Sequence, residues 1–366
     1  MSKENFIDQV KSEIEKPDDE VSKKLEACKI DVLENIPQPE KAWELKESKI
    51  SEYSLLGTLG NFSLVKGKAK SKKSFFINMA LACAVGKGML QNKFRSHLKS
   101  DFNEVLYFDT EQSKYHVQAA LKRICKQLNE KIPTNLTTYG LRKENPAERL
   151  KMVEYAIKNT RGLGFVVIDG IRDLITSIND EAESTTMASK LLQWTEEYNI
   201  HILVVLHENP GSEKARGHIG TELTNKAETV IGIEIDNSNP TISVVKPSSC
   251  RNKAFEPFAF EITNEGLPQI VEDYIVKAKI SGNDFDLTKL NNTEKFQLLI
   301  EVFSNGNSFT HGDLVSQIKE AINKRYPGHK GRGDNKIKEF ITWSKDNKSL
   351  IQEGDRKPYK LGELSV

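Results

Sequence analysis

From about residue 62 to about residue 270 the chain alternates short apolar runs with stretches of helical period. The runs VLYFD (105–109), LTTYG (136–140), FVVID (165–169) and IHILVVLH (200–207) have the length and composition of strands. Amphipathic helices are predicted over 113–129, 147–160 and 184–198, and the apolar stretch FFINMALACAVG predicts a buried helix after residue 74. Strands alternating with helices predict an α/β fold whose mostly parallel sheet is flanked by helices on both faces. TVIGIEID, TISVVKP and AFEPFAFEIT follow with no helix between them, so antiparallel strands are expected to extend that sheet. The pattern changes on either side. Residues 1–44 read as a charged helical arm, broken by Pro17 and ending in the linker-like IPQPEK, and 271–290 as a connector. Over 291–366, three amphipathic segments, NTEKFQLLIEVFSNG, THGDLVSQIKEAINKRY and DNKIKEFITWSKDNKSL, precede IQEGDRKPYKL, the pattern of a winged-helix-like α+β module. The large α/β domain then occupies 45–270, and no internal repeat is visible.

Charge changes the picture only locally. The 366 residues carry a net charge of +1, so any nucleic-acid surface must be a patch. Between Lys324 and Lys360 eleven basic residues face five acidic ones, with Tyr326, Trp343 and Tyr359 interleaved. That is the composition of a phosphate-backbone surface, or of a module that docks on protein. The charged N-terminal segment has no apolar signal region, and no run approaches the roughly 20 apolar residues of a membrane span. The four cysteines, Cys28, Cys83, Cys125 and Cys250, form no C-x-x-C pair, which suggests reduced thiols in a cytoplasmic protein.

Candidate chemistry begins at LVKGKAKSKKSFF (64–76), a strand, a loop opened by Gly67 and a helix entered through Lys73 and Ser74. N–H groups of such a loop can cradle phosphates, Lys73 can reach the β/γ oxygens and the Ser74 hydroxyl can ligate Mg²⁺. The nucleotide contacts would come from Gly67, Lys68, Ala69, Lys70, Ser71, Lys72, Lys73, Ser74 and Phe75. Lys72 stands where G-x-x-x-x-G-K-[ST] has its second glycine, a position that normally exploits glycine's backbone freedom. Asp169 ends a buried strand and would hold Mg²⁺ through water opposite Ser74. Glu111, after the strand VLYFD, is the candidate to orient and deprotonate attacking water; Asp109 or Thr110 suits an N-cap at least as well. His207 ends the next apolar run and can sense the γ-phosphate or simply be a satisfied histidine. The loop 208–218 offers Lys214 and Arg216, and Arg216 could reach a neighbouring subunit's nucleotide as an arginine finger.

The order GKAKSKKS, YFDTEQS, FVVIDGIRDL, VLHENPGSEKARGHIGTEL resembles the RecA-like P-loop ATPases. Within them it is similar to the RepA-like hexameric helicase group, in the form carried by mobile elements of Bacteroides-type bacteria. The resemblance covers roughly residues 45–265 and makes the missing second glycine a family trait. It implies ATP and Mg²⁺ at Lys73, Ser74 and Asp169, Glu111 as the catalytic carboxylate, His207 as the sensor and Arg216 as the finger in trans. It also implies a homo-oligomer, a hexameric ring in related proteins, acting on DNA. The strand would run single-stranded through the ring, with duplex or a partner such as a primase or relaxase at the C-terminal module. Lys246 and Arg251, in VVKPSSCRNKAFEPF, would contact nucleotide across an interface, or form an ordinary charged hairpin. One segment departs from the pattern: SINDEAES, where such proteins grip single-stranded DNA, is acidic through Asp180, Glu181 and Glu183 and would repel a phosphate backbone. Two other functions therefore stay open, an ATP-gated DNA-binding regulator that does not unwind, and a nucleotide-binding scaffold without turnover.

Overall fold

The computed structural model describes residues 19–47, 52–86, 88–208, 215, 217–236, 239–272, 274, 287, 290, 292–325 and 334–363. Among the described residues helix α1 (Asp19–Ala27) comes first, and residues 28–40 carry no helix or strand. Strands β1 (Lys41–Lys46), β2 (Tyr53–Thr58) and β3 (Phe62–Gly67) lead to helix α2 (Lys73–Val85), then to β4 (Met89–Leu90) and β5 (Phe94–Ser96). There follow β6 (Glu104–Asp109), α3 (Lys114–Gln127), β7 (Leu136–Gly140), α4 (Pro146–Asn159), β8 (Leu163–Asp169), a 3-10 turn (Ile171–Leu174), α5 (Glu181–Tyr198) and β9 (His201–His207). The large unit closes with α6 (Gly217–Lys226), β10 (Thr229–Ile235), β11 (Ile242–Cys250), β12 (Phe258–Ile262) and β13 (Pro268–Val271).

A nine-stranded sheet in the order β13-β12-β11-β10-β3-β9-β8-β6-β7 forms the frame. From β10 through β7 all neighbours are parallel, and β11, β12 and β13 add antiparallel strands at one edge. The inner parallel strands β8 and β9 are apolar without alternation because both their faces are covered, whereas the edge strand β7 is largely exposed. In β8, Phe165 and Val167 enter the core on one side, while Val166 and Ile168 enter the core on the other. Local signals set the helix ends. Asn145 accepts from the Glu148 N–H at 3.0 Å with Pro146 in the first helical position of α4, and Asp180 accepts from the Glu183 N–H at 2.8 Å at the start of α5. Asn199 ends α5 in the left-handed region at φ 48°.

Three parts of the fold differ from the sequence reading. Residues 41–44, assigned to the arm, lie in β1, which pairs with β2 and β5 in a four-stranded antiparallel sheet of order β2-β1-β5-β4. Trp43 of β1 is 1 % exposed and packs on Phe76 of α2 and Phe165 of β8. This second sheet is why α2 is apolar all round: one side meets the main sheet and the other meets β4 and β5. Second, Gly217 and His218, read as the end of the loop 208–218, begin helix α6 (Gly217–Lys226), which the sequence reading did not assign. Third, α6 supplies a crossover, so TVIGIEID runs parallel to β3 and only the strands after it are antiparallel.

The chain divides into two compact units, Met1–Val276 and Lys277–Val366. In the second, α7 (Asn292–Phe303), α8 (His311–Arg325), α9 (Asp334–Asp346) and the antiparallel pair β14 (Leu350–Gln352) and β15 (Tyr359–Leu361) enclose a core of Leu298, Leu299, Leu314, Ile318, Phe340 and Ile341 with their neighbours. No helix among the described residues is long and apolar enough to cross a membrane.

Candidate active site

Four adjacent parallel strands deliver the site. Gly67 ends β3, Asp109 ends β6, Asp169 ends β8 and His207 ends β9, with Gly67 paired to His207 and Asp109 to Asp169 in register. Beyond these ends lies a cleft of about 360 Å³ lined by loop residues 70–75, Asp109, Glu111, Gln112, His116, Arg123, Asp169 and His207. In an open parallel sheet this edge is where ligands bind.

The loop from Gly67 to Ser74 folds back over β3. Gly67 is needed for close approach, because a Cβ there would lie 2.3 Å from the Ile233 carbonyl oxygen and 2.7 Å from Ser71 Oγ. Gly67→Ala is therefore expected to cost about 1–3 kcal/mol of stability, read by urea denaturation. Lys70 and Lys72 both occupy the left-handed region, at φ 65° and 66°. Lys72 thus takes up the conformation for which glycine is usual at this position, at a cost of roughly 1–2 kcal/mol.

Lys73 is 7 % exposed and its Nζ donates to the carbonyls of Gly67 and Lys68, each at 2.8 Å. The same Nζ lies 3.1 Å from His207 Nδ1, and His207 Nε2 lies 3.5 Å from Glu111 Oε1. A lysine ammonium only donates and a carboxylate only accepts, which sets the tautomer: Nδ1 accepts from Lys73 and Nε2–H donates to Glu111. Ser74 Oγ donates to Asp169 Oδ2 at 3.4 Å, so a hydroxyl and a carboxylate oxygen face each other, the hard oxygen donors that suit Mg²⁺. Ser71 Oγ is buried and has no hydrogen-bond partner among the described residues.

Asp109 and Glu111 have separate tasks. Asp109 is 1 % exposed; its Oδ1 accepts from the Glu111 and Gln112 N–H groups and its Oδ2 from the Tyr107 hydroxyl and the Gln112 amide. That leaves Asp109 shaping the loop and Glu111 facing the cleft. Thr110 Oγ1 ties the loop to the neighbouring strand end through the Asp169 and Gly170 carbonyls and to Asp173 Oδ2 at 3.0 Å.

These placements and the sequence together decide the family. The model of the AAA domain family matches residues 24–213. The chain belongs to this family of RecA-like P-loop ATPases. No curated protein sequence matches the chain. In AAA domain proteins of this kind the ligands are ATP and Mg²⁺, and the hydroxyl, carboxylate and buried lysine gathered here fit them.

Electrostatics in this AAA domain follow from crowding three carboxylates around one lysine. Burial lowers the Lys73 pKa, opposed by Asp169, Glu111 and Glu208. The hydrogen bond from His207 holds Glu111 below the usual carboxylate range despite the cost of burial. Burial, then repulsion from Asp109 and Glu111, pushes Asp169 up to about 7. The folded state consequently binds more protons than the unfolded chain between the ordinary aspartate value, about 4, and pH 7, and stability falls as pH rises through that window. Without Mg²⁺, Asp169→Asn is expected to remove a loss of about 2 kcal/mol between pH 5 and pH 8, the full linkage being cut by solvent in the cleft; thermal melts of both proteins measure it.

Of the other residues singled out in the sequence, Lys246 pairs with Glu234 at 3.1 Å, and Arg251 donates to the Lys226 carbonyl at 2.8 Å. Neither lines the cleft of its own chain. Arg216 and Lys214 lie outside the described residues. Sequence reading missed Gln112, His116 and Arg123, although positions 116 and 123 fall on one face of the predicted helix, two turns apart, and Gln112 directly follows Glu111. Arg123 stacks on the Phe75 ring at 4.7 Å and donates to Asn78 Oδ1 at 2.8 Å, which fixes it as a cleft wall. Also missed was the pair Lys66 and Glu208, 3.7 Å apart and nearly buried beside His207.

Proposed function

We propose that this AAA domain ATPase is a DNA motor of the RepA-like hexameric helicase group, in the form carried by mobile elements of Bacteroides-type bacteria, acting in element replication or mobilisation. The observation that carries the reading is the directed hydrogen-bond series from Lys73 through His207 to Glu111. It joins the residue on the phosphates, the residue on the water and the start of the segment 208–216 that would meet DNA or a neighbour.

Lys73 holds the β/γ oxygens, and the N–H groups at the start of α2 add a fixed positive end. Bound Mg²⁺, held by the Ser74 hydroxyl and through water by Asp169, would neutralise charge on the phosphate oxygens. Glu111 orients a water in line with the γ-phosphate and takes its proton. His207 reports loss of the γ-phosphate, because a change at Lys73 on one ring nitrogen alters the bond to Glu111 on the other. Arg216 of an adjacent protomer supplies transition-state charge, in a homo-oligomeric ring. The second unit serves as a winged-helix-like module for duplex DNA or a primase or relaxase partner. Its three described helices, its β14–β15 ribbon and its local basic excess support that assignment.

One observation favours the regulator reading. Asp180 caps α5 and Glu183 accepts from the Thr176 and Ser177 N–H groups, so the acidic stretch after β8 is built into the local fold where a DNA-gripping loop would be expected. A forked-duplex unwinding assay beside a DNA-stimulated ATPase assay decides. A motor gives both signals, a regulator only stimulation and a scaffold neither. Stimulated hydrolysis with no strand separation would reject the motor.

A further inference from the structure

The side chain of Lys72 reaches from the loop to the neighbouring hairpin. Its Nζ donates to the Thr241 carbonyl at 2.5 Å, with the Pro240 carbonyl at 3.5 Å, in the turn between β10 and β11. Two more contacts seat the loop on the same hairpin. Gly67 lies against the Ile233 carbonyl, and Ser243 Oγ donates to the Ser71 carbonyl at 3.4 Å. The Thr241 carbonyl is itself held in place. Asn239 Oδ1 accepts from Thr241 N–H at 3.1 Å and Thr241 Oγ1 at 2.7 Å, while Asp236 Oδ1 accepts from Asn239 N–H at 2.8 Å. Asp236 also accepts from the Tyr274 hydroxyl, so the turn is braced from a second direction.

We propose that Lys72 is a positioning residue that anchors the phosphate loop to the β10–β11 turn, and is not a ligand of the phosphates. A glycine at this position would adopt the left-handed conformation without strain but could not cross to the hairpin. Lysine adopts it with strain, and the reach of its side chain gives that conformation a partner. The hairpin therefore acts as part of the phosphate loop: what disturbs Asn239 or Thr241 loosens the loop at Lys72. Nucleotide affinity depends on this through preorganisation, because a loop already held in shape loses less freedom on binding.

The inference rests on the reading of the loop as the ATP site, and the experiment separates the two. Lys72→Met removes the ammonium at similar length, Lys72→Arg keeps a donor, and Asn239→Ala removes the brace on Thr241 at an exposed residue away from the cleft. Hydrogen exchange at amides 68–72 in the nucleotide-free protein reads the anchor without ATP. Lys72→Met and Asn239→Ala should each speed it about tenfold, and Lys72→Arg should restore it to within about threefold of the parent. Each of the two loosening variants should also weaken ATP binding about tenfold, and Asn239→Ala, which lies off the cleft, should change turnover at saturation less than about threefold. Their double variant should be no worse than the worse single one, since both remove one anchor. Unchanged loop exchange in Asn239→Ala, or additive losses of ATP affinity near a hundredfold in the double variant, would overturn the anchor and make Lys72 a direct ligand. A parent protein that binds no ATP would sink the ATP-site reading while the exchange result still judged the anchor.

Discussion

Glu111→Gln is expected to leave ATP bound at near-parental affinity and to cut turnover by about 10²–10⁴-fold. The amide is the same size as the carboxylate, and its oxygen still accepts from His207 Nε2–H, so the loop keeps its place. What disappears is the charge that draws a proton from water. No neighbour can replace it. Asp169 is engaged with Ser74, and Asp109 is buried with both carboxylate oxygens already accepting, two of those bonds holding the Glu111 and Gln112 backbone. Calorimetry for binding and phosphate release for turnover make the comparison. Hydrolysis at the parental rate by the Glu111→Gln protein would take the base role away from this residue.

Lys73→Ala is expected to weaken ATP binding by at least about 100-fold and to abolish measurable turnover with it. The loss has two sources that act in the same direction. A buried ammonium that would meet the β/γ oxygens is gone, and charge-assisted hydrogen bonds of this kind contribute about 1.5–3 kcal/mol each. The empty loop also suffers, because Gly67 and Lys68 lose the donor that draws their carbonyls together, and His207 loses the partner that sets its tautomer. Asp169 and Glu111 then face each other with less positive charge between them, so the melting temperature of the nucleotide-free protein should drop as well. Titration with a fluorescent ATP analogue and a thermal melt test both parts. Binding within threefold of the parent would exclude Lys73 from the phosphates.

Much of this site could be located on the sequence because Asp109, Asp169 and His207 each end a buried strand. FVVID and IHILVVLH announce their own last positions, and parallel strands in one sheet bring those positions to one edge. The division of labour after VLYFD was harder. Asp109 and Glu111 are two residues apart and chemically alike, and only the hydrogen bonds to the Asp109 oxygens show which one shapes the loop and which one faces the cleft. Lys246 and Arg251 are the case where two readings stood side by side, a nucleotide contact across an interface or an ordinary charged hairpin. A basic residue after a strand satisfies the pattern for anion binding, yet both side chains here are turned to partners elsewhere in the chain.

By itself the sequence determined what depends on neighbours along the chain: strand and helix periods, and a loop of lysines opened by glycine. Those follow from local sterics and from the burial of apolar runs, which any stretch carries with it. Only the tertiary structure decided what depends on distant partners. The antiparallel sheet that covers α2 places Trp43 against Phe165, residues far apart in sequence, and the left-handed Lys72 finds its hydrogen bond at Thr241. The physical reason is the same in both cases. A side chain's role at such positions is set by the group the fold brings opposite it, and no period or spacing in the chain encodes that group.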